Sequence, residues 1–180
     1  MTGGIESGYL IPPFVVEFFC SYFIASLIME RIMSMYAQFK TDKELEQKGI
    51  VLDYGDFRVT IARAGSANPK FVRVHEMLTK PVRRLIEQDA LPRERELAIN
   101  RELYAKSVVQ NWEVKTFADK DSNPVWKQGV EGPDGELVDY NEENVIQTFE
   151  NLPDLFIDIQ VQANSMKLFL SSNREQDAKN

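Results

Sequence analysis

The residues able to do chemistry are few and scattered. His75 and Cys20 are the only histidine and cysteine and stand in unrelated contexts, so neither a nucleophile paired with a base nor a multi-histidine metal site can be built from them. Asp119, Asp121 and Asn123 imitate the opening of a calcium loop. That loop needs Gly at its sixth place and Glu at its twelfth, where this chain has Pro124 and Val130. Gly129, Gly132 and Gly135 punctuate VWKQGVEGPDGELV, but no Lys-Ser or Lys-Thr follows to make a phosphate loop, and Pro133-Asp134-Gly135 reads as a turn. Asp154 and Asp158 share helical i,i+4 spacing, which ordinarily leaves both carboxylates solvated. The expectation is therefore no catalysis, no cofactor and no metal. The double arginine Arg83–Arg84 is a candidate for holding a partner's carboxylate or phosphate.

Ordinary elements carry these residues. Ile50, Leu52 and Tyr54 alternate with polar or outward residues, as do Phe57, Val59 and Ile61, on either side of Gly55–Asp56. Period two around a Gly-first pair predicts a β-hairpin with a type II′ turn. Asn68–Pro69 caps and opens a helix with Phe71, Val74 and Leu78 on one face, kinked at Pro81 and resumed by Val82, Leu85 and Ile86. Pro92 opens another, with Leu97, Tyr104, Val108 and Trp112 as its buried stripe. From Thr116 to Asp139 periodicity stops and a polar loop is expected, pinned by Trp126 and Leu137.

The stretch from Asn141 to Leu170 reads as helix, corner and helix. Asn141 is the cap, Glu142 and Glu143 complement the first turn, and Val145 and Phe149 follow at helical spacing. Pro153 ends that helix and starts the next. Leu152 at the corner, then Leu155, Phe156, Ile159, Ala163, Met166 and Leu170, make an amphipathic arm. Such an arm either closes a core or offers anchors to another chain, so these residues, with Arg83 and Arg84, are the candidate partner-binding set. The expected fold is α+β, mainly α: an N-terminal β-hairpin followed by about five amphipathic helices.

Of 180 residues, 21 are basic and 28 acidic, a net charge of −7, which disfavours nucleic acid and anionic membranes as partners. Residues 1–32 form an apolar extension, and 33–180 are expected to be one domain. Phe14 to Met29 falls short of the roughly 20 apolar residues a span needs and contains Glu17; Met1 to Gly8 lacks the basic start of a signal peptide. The extension is read as an upstream-start product or an anchor, with Met33 or Met35 as alternative starts to Met1.

The segments DYGDFRVTIARAG, KPVRRLI, YAKSVVQNWEV, WKQGVEGPDGE, NEENV, LPDLFIDIQ and the closing AKN, in this order and spacing, resemble the tail assembly chaperones of tailed bacteriophages, over roughly Met33 to Asn180. That resemblance implies a non-enzymatic protein of the host cytoplasm. Its partner would be the phage tape-measure protein, kept soluble while tail-tube protein assembles around it; self-association stays open. Two other readings are a structural tail or tail-completion protein retained in the virion, and a membrane-associated protein anchored by residues 14–29.

Overall fold

In the computed structural model, residue 35, residues 38–116 and residues 124–170 are described. The apolar extension, the aspartates at 119 and 121 with Asn123, and the polar C-terminal tail lie outside them. The described residues from Thr41 onward form one compact unit.

Helix α1 (Lys43–Lys48) begins at Asp42, whose carboxylate accepts the Glu44 N–H at 2.8 Å. Strands β1 (Ile50–Asp53) and β2 (Phe57–Ile61) form the expected hairpin, in register Ile50↔Ile61 to Asp53↔Arg58. Gly55 takes φ +93°, as the first residue of a type II′ turn requires, and Asp53 accepts its N–H at 2.7 Å. Asn68 caps α2 (Pro69–Thr79), accepting the N–H groups of Lys70 and Phe71 at 3.0 and 3.3 Å. A 3₁₀ turn at Lys80–Val82 carries Pro81 into the short α3 (Arg83–Glu87), and α4 spans Arg93–Ser107.

There the expected pattern of a hairpin and about five helices fails. The chain leaves α4 at Ser107 and returns as β3 (Val109–Thr116), which pairs antiparallel with β2; β4 (Val125–Gln128) then adds a fourth strand, in the order β1-β2-β3-β4. The reason is a bulge. Thr60 faces Asn111 while Ile61 faces Val109, so Gln110 is the extra residue. The bulge puts Val109 and Trp112, three apart, on the same buried side, and that spacing imitates a helix. The loop expected over 116–139 likewise holds β4 and a two-stranded ribbon, β5 (Val130–Glu131) with β6 (Leu137–Val138). Strands of two to four mostly exposed residues are too short to show a period.

Beyond the ribbon come α5 (Glu142–Asn151) and α6 (Pro153–Asn164), with Leu152 at the corner between them. Asn141 caps α5, accepting the Asn144 N–H at 2.8 Å. The second helix stops six residues short of the expected end, at Asn164, and residues Met166–Phe169 make a 3₁₀ turn. Leu170 then bridges to Thr41, with the Asp42 N–H donating to the Phe169 carbonyl at 2.8 Å.

The core lies between the inner face of the sheet and the helices. Val59, Ile61, Val109 and Trp112 from the strands meet Val74 of α2, Leu103 and Tyr104 of α4, Phe149 of α5 and Phe156, Ile159 and Ala163 of α6. Tyr104 is its aromatic hub, edge-on to Phe71 at 5.9 Å and to Phe156 at 5.6 Å, and Phe156 packs on Phe149 at 4.7 Å. Within α4, Ile99 and Leu103 are buried while Leu97 stays exposed, so the stripe lies to one side of that expected. Across the sheet, Arg58 pairs with Glu113 and lies 4.3 Å from the Trp126 ring.

Candidate functional site

Where the sheet, the ribbon and the helix corner meet, the packing leaves a cleft of about 700 Å³. Its floor is apolar, from Val59, Val109, Trp112, Phe149 and Ile159. One wall is the hairpin end, Asp56 and Phe57; a second is the ribbon, from Val130 to Pro133 with Val138; a third is one side of α5, where Asn144, Gln147, Thr148 and Asn151 follow at i, i+3, i+4 and i+7. Leu152 and Leu155 complete that wall at the corner. Seven residues of α5 rise about 10 Å, so the wall is about two helical turns long.

Each wall is held by a named contact. The ribbon hangs from β3 through Gly129, whose N–H donates to the Trp112 carbonyl at 3.1 Å and whose φ is +117°. Tyr140, between β6 and α5, donates its hydroxyl to the Val109 carbonyl at 2.9 Å and sets its ring edge-on to Trp112 at 6.0 Å. Tyr54, stacked on Phe57 at 4.7 Å, donates to the Asp158 carboxylate at 2.6 Å and so ties the hairpin end to α6. Burial raises the pKa of Tyr54 first, and the bond to Asp158 and that residue's charge raise it further. Tyr140 is raised by burial and then by Glu142. The Trp112 indole N–H, in the floor residue, is buried without a hydrogen-bond partner among the described residues.

Of the residues singled out in the sequence, Leu152, Leu155 and Ile159 line this cleft. Phe156 and Ala163 do not; they are buried core beneath α6. Met166 and Leu170 lie past the end of α6, half-buried and outside the cleft. Arg83 and Arg84 are exposed on α3 and also outside it, and Arg83 is paired with Glu87 at 2.9 Å. The ribbon, the hairpin end and the amide row of α5 were missed. The amide row had a signal, Asn144, Gln147 and Asn151 on one helical face, while the rest depends on which strands meet. Among the described residues there is no cluster of potential metal ligands, and no helix is long and apolar enough to cross a membrane.

The cleft is suited to accepting apolar side chains from another molecule, with amides at its rim to meet polar groups. Residues 66–180 match the model of a family described as YdaY prophage protein, which covers well over half of the chain and every cleft-lining residue except Asp56, Phe57 and Val59. No curated protein and no solved structure matches the chain. The match supports the phage origin that the sequence resemblance implied, and it does not extend to tail assembly or to a tape-measure partner.

Proposed function

This chain belongs to the YdaY prophage protein family, and on that premise we propose that it is a tail assembly chaperone. It binds the tape-measure protein in the host cytoplasm and keeps it soluble while the tail tube forms. The observation that carries this reading is the cleft: an apolar trough open at the surface and walled by a helix corner is the kind of site that takes apolar anchors from an amphipathic helix. Leu152 supports it, because a large apolar side chain more than half exposed at the mouth of an apolar cleft is a ready contact for a partner. The resemblance in order and spacing of the sequence segments supplies the choice of client. No catalytic step belongs to this role.

The test is co-expression of the full chain with the tape-measure protein of the same prophage, scoring the client's soluble fraction and what co-purifies. The proposal expects the client to be held in solution and recovered with the chain. An insoluble, unbound client, or recovery of this chain as a component of purified particles, would overturn it.

A further inference from the structure

The charged residues that line the cleft are of one sign. Among its lining residues, Asp56 and Glu131 are acidic and none is Lys or Arg. Both carboxylates are exposed and neither has an ion-pair partner among the described residues. Lys127 is opposite the cleft-lining Val114 and so shares its face of the sheet, an exposed cation on the β4 side that does not itself line the cleft. Asp56 stands on the hairpin wall and Glu131 on the ribbon wall, while the α5 wall carries uncharged amides. An apolar trough lined by two carboxylates that form no ion pair among the described residues, on its strand-built walls, complements an apolar surface bordered by cations.

We infer that the cleft selects its occupant by charge, taking an amphipathic helix whose apolar anchors are flanked by Lys or Arg along the edge facing Asp56 and Glu131. This rests on the client-binding reading and adds a chemical rule to it. The helix form follows from the trough: an α5 wall about two turns long suits anchors at i and i+4 with a third at i+7. The charge rule is local, since at physiological salt the chain's overall charge is screened beyond about 8 Å while rim carboxylates act at contact.

The test uses the full chain and two synthetic 18-residue amphipathic peptides with identical leucine stripes, one carrying lysines and the other glutamates on its polar face, at physiological salt. Exposed charge pairs are each worth a few-fold in affinity, so the lysine peptide should bind about tenfold or more tighter than the glutamate peptide. In the double variant Asp56→Asn, Glu131→Gln that preference should shrink to within about threefold, because both changes are isosteric and neither carboxylate makes an ion pair among the described residues. A preference that survives the double variant intact would place the selectivity in overall charge and overturn the inference. Equal binding of the two peptides, or of neither, would overturn it as well. So would tighter binding of a small apolar cation such as benzyltrimethylammonium than of the lysine peptide, which would assign the cleft to small molecules. Charge-dependent peptide binding that follows Asp56 and Glu131, together with failure to hold the tape-measure protein, would keep the cleft rule and remove the chaperone role.

Discussion

Leu152 and Ile157 make a matched pair for separating binding from folding. They are 53% and 56% exposed and stand five residues apart, yet Leu152 lines the cleft and Ile157 does not. Each side chain is close to half buried in the free chain, so truncating either to alanine should lower stability by a similar amount, about 0.7–1.4 kcal/mol. In the complex they diverge. Burying a leucine fully is worth roughly 1.5–3 kcal/mol, and about half of that remains to be gained at Leu152 when a client covers it. Leu152→Ala should therefore weaken tape-measure binding by about 0.8–1.5 kcal/mol, or roughly 4- to 13-fold, and Ile157→Ala should leave it within about twofold. Titration calorimetry on the full chain, with urea unfolding of each variant alongside, reads both quantities. Equal losses at the two positions, or no loss at Leu152, would refute the assignment of the cleft as the client site.

The remaining expectations concern what holds the fold and the cleft in shape. Asn68, 3% exposed, accepts two N–H groups of α2 and donates to the Arg63 and Ser107 carbonyls at 2.9 and 3.1 Å; Asn68→Ala should cost about 2 kcal/mol in urea unfolding, and Asn68→Asp, which keeps the cap but loses both donations, should fail to restore it. Gly129→Ala places a side chain at φ +117° and a Cβ about 2.9 Å from Leu137, so it should loosen the ribbon and weaken client binding more than it lowers the thermal midpoint; the reverse order of effects would count against the ribbon as a cleft wall. Tyr54, Tyr104 and Tyr140 all have raised pKa values in the fold, so the unfolded chain loses its phenolic protons first. Their contribution is complete below about pH 10, the ordinary tyrosine value, and drains away as pH rises through the folded values. Urea midpoints from about pH 8 to about pH 11 should fall above pH 10, less steeply in Tyr54→Phe, and a flat profile would contradict these burial assignments.

Local chemistry made much of this fold legible and long-range pairing hid the rest. The Asn68 and Asn141 caps, the Gly55 turn and the Pro153 corner are each set by one or two residues, and each stands where the sequence places it. Strand β3 was unreadable for a physical reason: the bulge at Gln110 breaks the two-residue alternation and gives Val109 and Trp112 a helix-like interval. Losing β3 meant losing the sheet, because β4 pairs with β3 alone. The candidate site divides the same way. Leu152, Leu155 and Ile159 could be read from helical spacing, whereas Asp56, Trp112 and Glu131 come together only once the hairpin, β3 and the ribbon are assembled. Phe156 and Ala163 carry the same periodic signal as the cleft residues and turn inward, since periodicity marks an apolar face without saying what covers it.

The most direct measurement is photo-crosslinking in the co-expressing cell. The full chain would carry p-benzoylphenylalanine in place of Leu152 or, separately, in place of Ile157, and would be irradiated with the tape-measure protein present. A covalent adduct with the tape-measure protein from position 152, and none from position 157, is the predicted result. A soluble client that crosslinks equally from both positions, or only from position 157, would contradict the claim that this cleft holds it.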